Sequence, residues 1–72
     1  MSPLQSKMAR LALKWKIRDL AKYAQVGVST VQEFEKGNKV GIIHVKKLHQ
    51  TIMNTEEIIF IGENGLTWIP KK

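Results

Sequence analysis

The chain contains no cysteine, which removes disulfide bonds and thiolate-held metals together. It has no apolar run near the roughly 18 residues that a membrane span needs. Nor does it open on a basic stretch followed by an apolar one, the pattern of a secretory signal. These absences predict a soluble, cytoplasmic protein with no membrane partner. Internal repeats and low-complexity segments are missing as well. At 72 residues the chain is one small domain. A domain of this size buries only about 60% of the surface its unfolded chain exposes. The shortfall in stability points to oligomerisation.

Acidic residues are the second scarcity. Residues 1–53 carry ten Lys and Arg side chains against three acids, Asp19, Glu33 and Glu35, a balance of +7. Residues 54–72 carry two lysines against three glutamates, a balance of −1. A basic surface of this kind is the footprint of a polyanion binder, although solubilising lysines produce a similar count. The order of residue types carries the argument further than the charge does.

Ser2-Pro3-Leu4-Gln5 reads as a capping box with proline at the first helical position. Leu4, Met8, Leu11 and Trp15 then recur at helical spacing and predict a first helix over about 3–14, with that stripe as its apolar face. Leu20, Ala21 and Ala24 mark a second helix over 17–24, broken at Gln25-Val26-Gly27 by the glycine. Val31 and Phe34 face inward from a third helix over 28–36, stopped by Gly37 in a left-handed cap. A loop runs from Lys36 to Gly41. Val45, Leu48 and Ile52 then predict a fourth helix over 44–54, with Lys46, Lys47 and Gln50 outward.

The period changes after that. Ile58-Ile59-Phe60-Ile61 reads as a strand and Glu63-Asn64-Gly65 as a turn, the Asn-Gly pair being a strong hairpin signal. Leu66-Thr67-Trp68-Ile69 is a second strand or extended tail, ending at Pro70 and two lysines. The fold class is therefore mainly α: four helices and a short C-terminal β-hairpin or strand. Residues 1–55 form the helical part and residues 56–72 a C-terminal strand segment. Small side chains at Ala21 and Ala24 let the second and third helices cross closely, as a helix-turn-helix requires. In that motif the second of the two helices enters the DNA major groove.

This stretch resembles the Cro/Xre-type, lambda-repressor-like helix-turn-helix of phage repressors and small bacterial regulators, whose pattern runs Q-x-x-L-A-x-x-A-G-V-S-x-x-x-I-x-x-x-E-x-G. Leu20-Ala21, Ala24, Val26, Val31, Phe34, Glu35 and Gly37 fall in register with it. Ile17 stands in place of the usual glutamine, Gln25 in place of the turn glycine, and Gly27 in place of the serine or threonine cap. The first and third departures remove side chains that hydrogen-bond phosphates in the family. The tail IIFIGENGLTWI is similar to an F-I-x-E-N-G segment at the C-terminus of some small Xre-type proteins.

The resemblance implies double-stranded DNA as partner and assigns roles. Val28, Ser29 and Glu33 match recognition positions of the third helix, and Gln32 shares their outward face. Val28 suits a thymine methyl, Ser29 can donate or accept, Gln32 can pair with adenine, and Glu33 can accept from a cytosine amino group. Lys16, Ile17 and Arg18 at the start of the second helix are expected on phosphates, as are Gly27 at the start of the third and Lys36, Asn38 and Lys39 after it. Lys14, Lys46 and Lys47 are read as solvated helix faces. The resemblance also implies an ion pair between Arg10 and Glu35 that orients the third helix. Through the tail it implies a homodimer, with Ile58, Phe60, Leu66 and Trp68 in the interface; the alternative is a hairpin folded back on its own helices.

Catalysis has no constellation to rest on. Ser29 lacks a His/Asp partner pattern, and no glycine-rich phosphate loop is present. His44 and His49 are five apart, off a common helical face, and make no metal site. No catalytic residue, metal or cofactor is expected. Two functions compete: a homodimeric transcriptional repressor on a palindromic operator, and an antitoxin-type module that binds a partner such as a toxin through its C-terminal strands. A toxin binder of this type usually adds an extended neutralising segment, whereas this chain stops soon after Trp68, which favours the regulator.

Overall fold

A computed structural model describes residues 1–71; Lys72, the second of the two terminal lysines, lies outside the described residues. Four helices, α1 (Pro3–Ala12), α2 (Ile17–Ala24), α3 (Val28–Glu35) and α4 (Ile42–Met53), precede two strands, β1 (Ile58–Ile61) and β2 (Gly65–Trp68). The core is assembled from every element except β2: Ala9, Leu20, Ala21, Ala24, Val31, Phe34, Leu48, Ile52 and Ile58 are all buried. Leu20, Leu48 and Ile52 are its largest fully enclosed side chains. Truncating any of them would cost about 2–5 kcal/mol.

The start of α1 follows its sequence signature. Ser2 Oγ accepts from Gln5 N at 3.1 Å while Gln5 Oε1 accepts from Ser2 N at 3.0 Å, and Pro3 begins the helix. The apolar stripe, however, is not the face that packs. Leu4 and Leu11 are 48% and 59% exposed, and the inward face is Gln5, Ser6, Ala9 and Arg10. Small Ser6 and Ala9 let α1 approach closely, and the two long polar side chains beside them find complete sets of partners. A satisfied buried polar group removes the penalty that periodicity alone would charge against this face.

Each helix ends on a left-handed residue: Lys14 (φ 60°), Gln25 (φ 57°), Gly37 (φ 90°) and Glu56 (φ 59°). After α1, Trp15 N donates to Arg10 O and Lys14 N to Leu11 O, which closes a Schellman motif and ends the helix at Ala12, short of the expected 14. After α2 the same two bonds run from Val26 N to Ala21 O and from Gln25 N to Lys22 O. The residue that turns this chain is thus Gln25; Gly27, expected to be the breaker, has φ −69° and an extended conformation. After α3, Asn38 N donates to Glu33 O and Gly37 N to Phe34 O. α4 begins at Ile42, earlier than the apolar stripe suggests, because Gly41 O already accepts from Val45 N.

The strands pair antiparallel with Ile58 opposite Trp68, Ile59 opposite Thr67, Phe60 opposite Leu66 and Ile61 opposite Gly65. A three-residue loop, Gly62 to Asn64, joins them, and Gly62 supplies its positive φ of 61°. A Cβ on Gly65 would stand 2.7 Å from Ile61 O, so only glycine fits where the strands close. Gln5 fixes the loop from outside: its amide nitrogen donates to Gly62 O and to Gly65 O, each at 2.9 Å. Ser2 Oγ adds a bond to Asn64 Oδ1 at 3.1 Å.

The hairpin lies back on the chain's own helices. Ile58 is buried, and Phe60 and Leu66 pack on the same core, with the Phe60 ring centroid 5.5 Å from that of His49. These three residues, expected in a dimer interface, pack within the chain. Trp68 shares their side of the sheet but sits at its open end, half exposed, its indole nitrogen 3.4 Å from Glu57 Oε1. The outer side carries Ile59 and Ile61, both more than half exposed, and Ile69 follows just beyond β2.

Candidate nucleic-acid interface

The crossing of α2 and α3 depends on Ala21 and Ala24, both buried, and on the left-handed turn at Gln25. Val31 and Phe34 anchor α3 from one side. By helical geometry the opposite side is then open, and Val28, Ser29, Gln32 and Glu33 are all exposed there. No side chain caps the start of α3. The backbone N–H groups of its first turn therefore point outward without an intrahelical acceptor, a arrangement suited to an anion.

A buried ion pair fixes the pitch of α3. Arg10 Nη2 lies 3.0 Å from Glu35 Oε1, and Arg10 Nε lies 3.2 Å from Oε2. Both side chains are nearly enclosed, 9% and 6% exposed. Their remaining capacity is used as well: Arg10 Nη1 donates to Trp15 O at 3.1 Å, and Ser6 Oγ donates to Glu35 Oε2 at 3.1 Å. The network joins α1, the α1–α2 turn and α3. It leaves no charge for DNA, so its work is to hold the helix that faces outward.

Around α3 stand the cations and helix ends expected on phosphates. Lys16 and Arg18 are exposed at the start of α2, with Asp19 Oδ2 accepting from Lys16 N at 2.8 Å. Ile17 is half buried, packed toward the core, so only its backbone N–H is suited to a phosphate. Gly27 is exposed, and a Cβ there would meet only Thr30 Oγ1 at 3.6 Å and Ser29 Oγ at 3.8 Å. Past α3, Lys36, Asn38 and Lys39 are exposed. Two of them are engaged within the chain: Asn38 Nδ2 donates to Glu33 Oε1 at 3.0 Å, and Lys36 Nζ lies 3.6 Å from Glu33 Oε2.

A shallow hollow lined by Lys7, Arg10, Ile17, Gln32, Glu35 and Lys36 joins the start of α2 to the end of α3. It brings in Lys7, an exposed cation that sequence reasoning passed over. The signal was present: Lys7 lies three residues before Arg10, one helical step from the residue that docks α1 against α3.

A family model described as helix-turn-helix matches residues 7–52. The chain belongs to the Cro/C1-type helix-turn-helix family of DNA-binding regulators. Neither the curated proteins nor the solved structures yield a match. The matched stretch of this helix-turn-helix regulator takes in the open face of α3, both helix starts and the loop after α3. The hairpin lies beyond it. Among the described residues, no helix is long and apolar enough to cross a membrane, and no three metal-ligating side chains come together.

Proposed function

We propose that the protein is a cytoplasmic transcriptional repressor that binds a palindromic operator as a homodimer, with α3 in the major groove. The observation that carries this reading is the open side of α3. Val28, Ser29 and Gln32 stand exposed on a helix whose other side is fixed by Val31, Phe34 and the Arg10–Glu35 pair. Val28 would pack on a thymine methyl, Ser29 would exchange a hydrogen bond with a base edge, and Gln32 would pair with adenine. Lys16, Arg18, Lys36, Asn38 and Lys39, with the backbone N–H groups at Ile17 and Gly27, would set the register on phosphates.

Dimerisation would use the outer side and free edges of the hairpin. Ile59, Ile61 and Ile69 supply apolar area there, and an exposed strand edge is open to a second copy. Trp68 stands at its margin. Two recognition helices about 34 Å apart would then meet successive major grooves on one side of the duplex. The same exposed isoleucines favour a second reading, in which this face binds a different protein, as an antitoxin does. Selection of bound duplexes from a random DNA pool tests the proposal. A two-fold symmetric sequence should be enriched; an unenriched pool would overturn the operator reading.

A further inference from the structure

Residues 1–53 contain three acids, and two of them are spoken for. Glu35 is enclosed by Arg10 and Ser6, and Asp19 is half buried, accepting from the backbone of Lys16. Glu33 alone stands exposed, on the open side of α3, amid the cations assigned to phosphates. Its position does not help the helix. Two residues before the end of α3, a carboxylate faces the negative end of the helix dipole, where it is unfavourable. Its partners are informative: Asn38 Nδ2 at 3.0 Å and Lys36 Nζ at 3.6 Å are two of the three side chains after α3 that a phosphate would engage.

Resting on the DNA-binding reading above, we infer that Glu33 is an internal competitor for the phosphate, which weakens binding to every sequence alike and reads no base. In the free protein its carboxylate occupies Lys36 and Asn38. A phosphate that takes those donors must displace it, and then lies close to a negative charge with no cation of its own. The penalty is the same for all DNA. A uniform penalty lowers specific and random binding by the same factor and leaves their ratio to the base contacts of Ser29 and Gln32; what falls is the share of the protein held on random DNA. An expectation from sequence that Glu33 accepts from a cytosine predicts the opposite sign for its removal.

Glu33→Gln isolates the charge, because a glutamine oxygen still accepts from Asn38 and the end of α3 keeps its backbone bonds. Binding of the full chain to a duplex of random sequence is measured across a salt series for the wild type, Glu33→Gln, Lys36→Ala and the double variant. Competitor competes or it does not: the expected result is that Glu33→Gln tightens random binding about two- to fivefold at low salt, the factor an exposed ion pair is worth. The salt dependence should steepen by about one phosphate contact. Both gains should vanish in the Lys36→Ala background. Weaker binding by Glu33→Gln would overturn the inference. Unchanged affinity and slope would overturn it too. Failure of the wild type and Glu33→Gln alike to bind any duplex would instead bring down the DNA reading, and this inference with it.

Discussion

The open side of α3 and the outer side of the hairpin are both exposed, yet they are opposite in kind. One presents Val28, Ser29, Gln32 and Glu33 within a segment of balance +7; the other presents Ile59, Ile61 and Ile69 within a segment of balance −1. They are also secured differently. A buried ion pair reaching across 25 residues holds α3, whereas a neutral amide reaching across 57 and 60 residues holds the hairpin loop. A polar, cation-rimmed helix complements hydrated base edges and phosphates, and aliphatic strands complement another apolar surface. The difference teaches that this small chain separates two kinds of exposed surface, each with its own anchor.

The most damaging way to break the comparison is at the α3 anchor. Glu35→Ala strands the Arg10 guanidinium and should cost about 3–5 kcal/mol, a large share of what a small domain possesses. Urea unfolding measures it. Replacing the pair together, as Arg10→Met with Glu35→Leu, should recover most of that loss. A cost below about 1 kcal/mol for Glu35→Ala would show a pair that behaves as a surface bridge.

The hairpin anchor should matter less. Gln5→Ala leaves Gly62 O and Gly65 O without their donor and should cost about 1–3 kcal/mol. Amide hydrogen exchange should quicken in Ile58–Ile61 while α3 keeps its protection. Equal loss in both would mean that the two surfaces are not held separately.

The contrast between the two anchors also explains what could be read from sequence. α2 lies where Leu20, Ala21 and Ala24 put it, and α3 where Val31, Phe34 and Gly37 put it, because those signals are local. The inward face of α1 was hidden because Gln5 and Arg10 have partners far along the chain; an apolar stripe competes poorly with a satisfied polar network that periodicity cannot see. Lys14, Gln25 and Glu56 end helices in a conformation that residue type did not announce. In the candidate site, the exposed positions of α3 were legible from its two core residues. The engagement of Glu33 with Asn38 was not, since it depends on the Gly37 turn bringing the loop back, whereas its contact with Lys36 is an ordinary i,i+3 pair.

Two smaller effects sharpen the picture. Gln25→Gly relieves a left-handed residue at the α2–α3 turn and should raise stability by about 1 kcal/mol, read from the thermal midpoint. His49 binds a proton less readily than its ordinary value of 6.5, first because burial disfavours its charge and second because the terminal ammonium repels it. The unfolded chain therefore takes up the proton first. Stability should hold above 6.5 and decline as pH falls through 6.5 toward the lowered folded value, and His49→Gln should flatten that decline.

The central claim is that the open side of α3 reads DNA without holding the fold. The direct measurement is selection from a random DNA pool by the wild type, Ser29→Ala and Gln32→Ala, with thermal midpoints recorded alongside. Each variant should keep its stability and relax preference at one position of each half-site, losing about 1–3 kcal/mol of discrimination per base contact. Three identical enriched sequences would contradict the claim.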